Sequence, residues 1–205
     1  MSDCLVIIPT YNEKENIRKI ILAVFALRSP FHILIVDDNS KDGTAEIVKE
    51  LMKEYPSQLH MEQRAGKMGL GTAYIHGFKW ALAKNYEYIF EMDADFSHNP
   101  EDLIHLYNAC KNDGADLSIG SRYITGVNVV NWPMGRVMMS YFASMYVRIV
   151  TGMSIRDTTA GFKCYTRKVL DTIDFNKIKF VGYAFQIEMK FASWKLGFNV
   201  VEVPI

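Results

Sequence analysis

Short apolar runs alternate with longer segments of mixed polarity along the first 123 residues of the chain. The short runs, such as LVII and ILIV, have no polar interruption, which is typical of strands covered on both faces of a sheet. The longer segments, such as NIRKIILAVFAL, repeat apolar residues every three or four positions, as one face of a helix does. This alternation predicts an α/β fold with a mostly parallel central sheet and helices on both faces.

Five strands and four helices are predicted in this first part of the chain. The strands are CLVIIP, ILIVDD, LHMEQ, YIFEM and ADLSIGS, and the helices are NEKENIRKIILAVFAL, DGTAEIVKELMKEYP, GLGTAYIHGFKWALAK and NPEDLIHLYNACKN. Asn12 and Glu15 resemble a capping box, and Asn99 with Pro100 is expected to begin the fourth helix. The later part has an apolar segment at 134–152, a turn and short helix in RDTTAGFKCYTRKVL, a helix in GYAFQIEMKFASWKLG and a strand in FNVVEVPI.

The polar residues that follow the predicted strands are the first candidates for a functional site. Right-handed crossovers place the carboxyl ends of parallel strands at one edge of a sheet, and ligands of open α/β sheets bind at that edge. The residues expected to converge there include Pro9, Tyr11, Glu13, Asp38, Asp93, Asp95 and Arg122.

Asp93 and Asp95 stand one residue apart directly after the apolar run YIFEM. Two carboxylates at the end of a buried strand repel each other, so we expect a cation between them. Oxygen ligands from so few side chains suit Mg²⁺ or Mn²⁺ bound together with phosphate oxygens. The alternative is one Asp that caps a helix and one in a solvated loop, but the position after a central strand favours the metal.

Three further segments carry candidate chemistry, each with a structural alternative. Asp38 in VDDNSKDGT can accept hydrogen bonds from a nucleobase or a ribose, while Ser40 or Asp42 beside it is suited to capping the next helix. Lys67 in RAGKMGLGTA can neutralise a diphosphate, or the glycines only give a flexible lead into a helix. Arg122 in IGSRY offers a bidentate fork for phosphate, or it forms a surface ion pair.

Composition and charge narrow the function classes. The chain has 23 basic and 23 acidic side chains, and this balance argues against a nucleic-acid partner. Its three cysteines lack metal-ligand spacing and are expected to be buried free thiols in a reducing compartment. No signal-peptide pattern is visible, and the apolar run VMMSYFASMYV covers about half of a ~30 Å hydrocarbon core. The segment 134–152 that contains it is expected either to lie in the headgroup zone of a membrane or to form a core helix.

Seven motifs in this order resemble the family 2 glycosyltransferases, and more narrowly the polyprenyl-phosphate (dolichol-phosphate) mannosyltransferases. They are VIIPTYNEKENI, ILIVDDNSKDGT, AGKMGLGTAYIHGF, MDADFSHNPEDL, IGSRY, DTTAGFKCY and GYAFQIEM. The resemblance implies a single GT-A domain over residues 1–205, which is a Rossmann-like nucleotide-sugar-binding fold. Residues 1–123 would form the nucleotide-sugar half and residues 124–205 the acceptor half. Relatives continue with a basic segment after VEVPI, so the chain is expected to be truncated at its C-terminus.

The resemblance also implies roles for particular residues. Asp93 would contact the ribose or the metal, and Asp95 would bind the metal. Ser97 stands where some relatives have a further Gln ligand, which leaves the third metal contact open. Asp157 would lie near the reacting sugar. The other implied contacts are Pro9, Tyr11 and Glu13 with the nucleoside, Asp38 with the base, Arg122 and Arg136 with phosphates of the donor or the acceptor, and Gln186 and Glu188 on the acceptor-side helix. In such a reaction Lys67 and Arg122 are expected to add positive charge at the diphosphate.

The implied reaction is an inverting transfer of a hexose, expected to be mannose from GDP-mannose, to a dolichyl or undecaprenyl phosphate with Mg²⁺ or Mn²⁺. The enzyme would be cytoplasmic and peripheral on the cytoplasmic face, held by the membrane surface or by a membrane-anchoring partner. One alternative is a family 2 transferase that uses a UDP-sugar and a glycan hydroxyl, for which Asp157 would be the base. Another is a nucleotide-sugar-binding module without catalysis.

Overall fold

The computed structural model describes residues 2–27, 29, 31–124 and 134–205. Its strands form one seven-stranded sheet in the order β3-β2-β1-β4-β6-β5-β7. The strands are β1 Cys4–Thr10, β2 Phe31–Asp37, β3 Leu59–Gln63, β4 Tyr88–Glu91, β5 Leu117–Ser121, β6 Lys163–Thr166 and β7 Val200–Pro204. Every neighbouring pair is parallel except those of β6, which runs antiparallel to both β4 and β5. The predicted mostly parallel sheet is therefore confirmed.

Seven α-helices accompany the sheet in the described part of the chain. They are α1 Ile17–Phe25, α2 Thr44–Glu54, α3 Leu70–Ala83, α4 Asp102–Lys111, α5 Met134–Thr151, α6 Arg167–Thr172 and α7 Ala184–Lys195. The first, second and fourth helices bury their apolar faces against one side of the sheet, and the third, sixth and seventh against the other. Successive residues of β1 point to opposite sides, since Val6 belongs to the first core and Leu5 to the second. Helices on both faces are thus confirmed.

The predicted capping box at Asn12 and Glu15 is wrong. Helix α1 begins only at Ile17, and Asn12 lies outside it with a φ of 61°. The backbone N–H of Asn12 donates to Ser40 Oγ at 2.9 Å, and its side chain accepts from the backbone N–H of Lys41 at 2.9 Å. Asn12 therefore joins the loops after β1 and β2. The fourth helix begins later than predicted, at Asp102, although Asn99 Oδ1 accepts from the backbone N–H of Glu101 at 3.2 Å in the turn before it.

Helix α5 is not a core helix, although its sequence is rich in Met and aromatic residues. Many of its apolar side chains face solvent, with 73% of Met139, 67% of Tyr146 and 76% of Ile149 exposed. None of the helices among the described residues has the length and apolar character needed to cross a bilayer. The three cysteines are buried and free, as predicted.

Candidate active site

A cleft of about 1800 Å³ lies at the carboxyl ends of the central strands. Asp93 and Asp95 follow β4, Arg122 follows β5, and all three line this cleft. Thr159 and Gln186 reach it from later parts of the chain. The convergence predicted from strand topology is therefore confirmed for the residues after β4 and β5.

Asp93 lies at the wall of the cleft beside a tyrosine that bonds to it and a histidine. Tyr74 donates its hydroxyl to Asp93 Oδ1 at 3.2 Å, and His98 Nε2 lies 3.8 Å from Asp93 Oδ2. Burial raises the pKa of Tyr74, and the negative charges of Asp93 and Glu91 raise it further, so the hydroxyl keeps its proton. The side chain of Asp93 is still 39% exposed, which leaves it open to a ligand.

His98 was not predicted as a site residue, but the structure places it in the cleft wall. Its ring stacks on Phe162 with the centroids 4.9 Å apart. Burial lowers the pKa of His98, although Asp93 and Asp95 act in the opposite direction, and the ring is neutral at physiological pH. The spacing of His98 after two acids was the available signal in the sequence.

Asp95 projects from a sharp turn into solvent at the mouth of the cleft. Its Oδ1 accepts from the backbone N–H of Ser97 at 2.9 Å, and Phe96 between them has a φ of 59°. A positive φ at a bulky residue is rare and marks a strained turn. No group of three His, Cys, Asp or Glu side chains suited to a metal occurs in residues 2–124 or 134–205, so far as these are described. The carboxylates of Asp93 and Asp95 are thus what this site offers to a cation.

Glu13 adds negative charge to the same region. Burial raises the pKa of Glu13, a hydrogen bond from Asn16 opposes that shift, and the charges of Asp95, Asp42 and Asp93 add to it. The mutual repulsion of these carboxylates would be relieved by a bound cation. Asp42 itself has a structural role, because its Oδ1 accepts from the N–H and the hydroxyl of Thr44 at the start of α2.

Asp38 is clamped by an arginine that the sequence did not single out. Arg64 donates from Nε to Asp38 Oδ1 at 2.6 Å and from Nη2 to Asp38 Oδ2 at 2.8 Å. Its Nη1 donates to Thr72 Oγ1 at 2.7 Å, which ties this corner to α3. Both side chains of the ion pair are almost fully buried. The pairing of β2 with β3 could have indicated this contact. The two strands pair Asp37 with Gln63, so the residues that follow them, Asp38 and Arg64, are neighbours.

The glycine-rich segment before α3 is explained mainly by packing. A Cβ on Gly71 would lie 2.7 Å from the ring of Phe185 in α7, and Gly69 has a φ of 96°. Lys67 nevertheless remains exposed, with its ammonium 4.7 Å from the ring centre of Tyr11. This contact brings two of the predicted nucleotide-binding residues together. Pro9 lies within β1, opposite Val36.

Arg122 forms a buried ion pair with Asp157 rather than the surface pair that was the alternative. Nε donates to Asp157 Oδ2 and Nη2 to Oδ1, both at 2.7 Å, and Nη2 also donates to Thr159 Oγ1 at 3.0 Å. The side chain of Asp157 is 0% exposed and that of Arg122 is 14% exposed. Burial alone would raise the pKa of Asp157, but the bonds and charge of Arg122 outweigh it and lower the pKa. Asp157 therefore stays ionised and fixes Arg122 at the cleft.

The model of the family "Glycosyl transferase family 2" matches residues 5–174, which is most of the chain. The chain belongs to glycosyltransferase family 2. It is 47% identical over 201 residues to polyprenol monophosphomannose synthase of Mycolicibacterium smegmatis, covering 98% of this chain and 76% of the relative. It is 45% identical over 204 residues to undecaprenyl-phosphate mannosyltransferase of Micrococcus luteus, covering 98% of this chain and 82% of the relative.

Solved structures show that this family 2 glycosyltransferase has the GT-A fold that was predicted. Glucosyl-3-phosphoglycerate synthase of Mycobacterium tuberculosis, solved with Mn²⁺, UDP and glucosyl-3-phosphoglycerate, aligns with a TM-score of 0.70 at 16% identity. The match covers 98% of this chain and 70% of that one. A mannosyltransferase of Pyrobaculum calidifontis, solved with GDP-Man and Mn²⁺, aligns with a TM-score of 0.64 at 16% identity, covering 98% and 55%.

The three residues predicted on the acceptor side of this glycosyltransferase differ in where the structure places them. Gln186 is almost fully buried and forms part of the cleft floor, where its Nε2 donates to Glu91 Oε2 at 2.7 Å. Glu188 does not line the cleft, and its carboxylate accepts from the backbone N–H groups of Lys179 and Phe180, each at 2.9 Å. It therefore shapes the loop before α7. The side chain of Arg136 lies outside the described residues.

A buried lysine fixes the turn that carries Asp157. Lys190 of α7 donates to the backbone carbonyls of Thr158 at 2.8 Å and Ala160 at 2.7 Å. Burial lowers the pKa of Lys190 strongly. Sequence reasoning missed this residue because a lysine in an amphipathic helix is usually at the surface.

Proposed function

We propose that this glycosyltransferase moves mannose from GDP-mannose to a dolichyl or undecaprenyl phosphate with inversion at the anomeric carbon. The nucleotide sugar would bind the half formed by residues 1–123, and the acceptor the half formed by residues 124–205. The two curated relatives named above, both mannosyltransferases or synthases of polyprenol-linked mannose by name, support this choice.

The observation that carries the proposal is the position of the apolar helix α5. Its Met139, Ser140 and Ala143 line the cleft, and Ser140 Oγ lies 3.2 Å from Thr159 Oγ1, which accepts from Arg122. The same helix exposes apolar side chains to solvent. A cleft that is bordered by an exposed apolar helix suits an acceptor with a lipid tail and a charged head.

The donor would bind along the strand ends. Pro9, Tyr11, Glu13 and Asp38 would surround the nucleoside, with Asp38 reaching the base through the lone pairs that Arg64 leaves unused. Lys67 and Arg122 would supply positive charge to the diphosphate. Arg136 would meet a phosphate of the donor or the acceptor, and Gln186 and Glu188 would belong to the acceptor-side helix.

The carboxylates of Asp93 and Asp95 fit a divalent cation. Both are accessible, and Glu13, whose pKa is raised by burial and further by the charges of Asp95, Asp42 and Asp93, lies in the same negative region. Two protein oxygens leave coordination positions for diphosphate oxygens and water, which suits Mg²⁺ or Mn²⁺. When bound, the ion would neutralise charge on the departing diphosphate.

The ion pair of Arg122 and Asp157 explains why a phosphate acceptor is favoured over a hydroxyl. The transition state resembles an oxocarbenium ion, and negative charge grows on the leaving diphosphate. A polyprenyl phosphate is already anionic and needs no base, whereas a hydroxyl acceptor does. Asp157 is the base that a hydroxyl would require, yet both its oxygens accept from Arg122 and its pKa is lowered. Its role here is to hold Arg122 towards the cleft.

We further propose that α5 lies in the headgroup zone on the cytoplasmic face of a membrane. The exposed Met, Tyr, Phe and Ile side chains of the helix would enter the interface, and Arg148 in its last turn would meet anionic headgroups. A membrane-anchoring partner could occupy the same face.

The test is a transfer assay with purified protein and radiolabelled sugar. GDP-mannose and UDP-glucose are each incubated with undecaprenyl phosphate or with an oligosaccharide, with Mn²⁺ or Mg²⁺ present. We expect label in the lipid phase only with GDP-mannose and the lipid phosphate. Transfer from UDP-glucose to the oligosaccharide would overturn the proposal. Binding of GDP-mannose without any turnover would support a non-catalytic binding module instead.

A further inference from the structure

Three buried polar side chains form a connected network beneath the floor of the cleft. They come from separate elements: Glu91 from β4, Lys163 from β6 and Gln186 from α7. Lys163 Nζ lies 3.1 Å from Glu91 Oε2, and Gln186 Nε2 donates to the same oxygen at 2.7 Å. Lys163 also donates to Gln186 Oε1. Burying an ion pair costs free energy that the attraction between the charges does not always repay. We therefore expect this network to have a role other than stability.

The ion pair fixes the orientation of the Gln186 amide. A lysine ammonium can only donate hydrogen bonds and an ionised glutamate can only accept them. The amide must therefore turn Oε1 towards Lys163 and Nε2 towards Glu91. The opposite orientation would turn the Nε2 hydrogens towards the Lys163 ammonium and Oε1 towards the Glu91 carboxylate, and neither pair could form a hydrogen bond. A glutamine amide is otherwise nearly symmetric in shape, and only its partners can choose between the two orientations.

The fixed amide has one hydrogen-bond donor left, and the cleft is beside it. An amide nitrogen carries two hydrogens, and among the described residues only Glu91 accepts from Nε2 of Gln186. A Cβ on Gly161 would lie 3.8 Å from this nitrogen, 3.6 Å from Asp93 Oδ2 and 3.9 Å from His98 Nε2. The missing side chain of Gly161 therefore leaves a small opening that is surrounded by polar atoms.

The chemistry of this opening suits a hydroxyl group. A hydroxyl can accept from the N–H of Gln186 and donate to the carboxylate of Asp93 at the same time. A phosphate oxygen would instead be repelled by Asp93 and by the nearby charge of Glu91. The ribose is expected beside the nucleoside-binding residues after β1 and β2, whereas this opening lies at the ends of β4 and β6. The hydroxyl is therefore assigned to the transferred sugar.

We propose that the ion pair of Glu91 and Lys163 positions Gln186 so that its free N–H donates to a hydroxyl of the donor sugar, in the opening left by Gly161. In this assignment Glu91 and Lys163 are positioning residues, and Gln186 contacts the substrate. The assignment rests on the proposed function, because it needs a nucleotide sugar in the cleft.

Calorimetric binding of GDP-mannose and of GDP, both with Mn²⁺, tests the assignment. Gln186→Met removes the donor and keeps the ion pair. Gly161→Ala fills the opening, and its new Cβ meets neighbours only at ordinary contact distances of 3.6–3.9 Å. The double variant Glu91→Gln/Lys163→Met removes both charges together, so neither is left buried alone, and frees the amide to turn. Ser193→Ala on α7 is the control, because this buried hydroxyl donates only to the carbonyl of Met189.

We expect the first three variants to bind GDP-mannose about tenfold more weakly, the effect of one lost hydrogen bond, and to bind GDP as the parent does. The control variant Ser193→Ala should change neither the dissociation constant for GDP-mannose nor that for GDP. Equal weakening of both ligands would show a structural role and overturn the assignment, and so would unchanged binding of both. Should the double variant fail to fold, the role of Gln186 is still decided by the other two. A parent protein that binds GDP but not GDP-mannose would instead refute the proposed function itself.

Discussion

At the scale of single residues, the site is built from charges that hold other charges in place. Asp157 fixes Arg122, Arg64 fixes Asp38, and Lys163 fixes Gln186. Each holding residue is buried, so its charge is little screened by solvent and its geometry is well defined. Asp95 and Lys67 differ from these held residues because they are exposed.

Replacement of Asp157 by Asn should destabilise the protein in a pH-dependent way. Breaking a buried ion pair on one side costs about 3–5 kcal/mol. Because Arg122 makes the pKa of Asp157 lower in the folded protein than in the unfolded chain, the stability that this carboxylate contributes is complete above the unfolded pKa and is lost as the pH falls through the folded pKa. Urea unfolding from pH 6 to pH 3 measures the free energy of unfolding of the parent and of Asp157→Asn. The difference between the two should become smaller at the acidic end. A difference that stays constant with pH would contradict this account.

Replacement of Arg64 by Lys should weaken both stability and nucleotide binding. An ammonium cannot reproduce the two parallel bonds to Asp38, and a partly unsatisfied buried carboxylate costs about 1–3 kcal/mol. We expect a lower urea midpoint and a weaker affinity for GDP in a fluorescence titration. Arg18→Lys is a matched control, because its ion pair with Glu50 is exposed on α1 and α2. If Arg64→Lys binds GDP like the parent, Asp38 does not contact the base.

At the scale of secondary-structure elements, local apolar patterns were sufficient for the strands and helices of the first half. They were insufficient for β6, which was predicted as part of a turn before a short helix. This strand has four residues, and it begins with a lysine that is buried only because Glu91 and Gln186 meet it from other elements. Its antiparallel insertion between β4 and β5 is likewise set by distant pairing.

The same limit applies to the site residues. Asp93, Asp95 and Arg122 could be found from the sequence because they directly follow strands, and strand ends converge. Arg64, His98, Lys163 and Lys190 were missed because their roles depend on partners far away along the chain. The environment of α5 could not be predicted for a different reason. An apolar sequence does not distinguish a helix covered by protein from one covered by a membrane.

Replacement of Ile149 by Glu in α5 should reduce membrane binding and leave folding intact. The side chain is 76% exposed, so a charge there costs little in the free protein. Loss of one large apolar contact with the interface, together with repulsion from anionic lipid, should weaken vesicle binding about tenfold or more. Co-sedimentation with vesicles of phosphatidylglycerol measures this. Leu22→Glu is the matched control, because it places the same charge at an exposed apolar site on a different helix, α1. Equal loss in both variants would point to charge alone rather than to α5.

At the scale of the whole molecule, the sheet brings the two halves of the chain to one cleft. Residues of the first half supply the carboxylates, while the later half supplies Asp157, Lys163 and the apolar helix. The later strands β6 and β7 flank β5 in the sheet. Arg122, which follows β5, is held by Asp157 in the turn after α5. The carboxylates and the exposed apolar side chains of α5 therefore border the same cleft, which fits the proposed transfer of a sugar onto a lipid phosphate.

Removal of divalent cations should abolish the stabilisation that GDP-mannose gives to the whole domain. A ligand at a hundredfold excess over its dissociation constant stabilises the folded state by about 2.7 kcal/mol. For a domain of this size that is a rise in Tm of about 5–10 °C. With EDTA the rise should vanish, since the carboxylates of Glu13, Asp93 and Asp95 would then repel the diphosphate. Asp95→Asn with Mn²⁺ should lose most of the rise, whereas Asp113→Asn, an exposed acid in the loop after α4, should keep it. A full Tm shift in EDTA would mean that Lys67 and Arg122 alone hold the diphosphate, and that the paired acids serve another purpose.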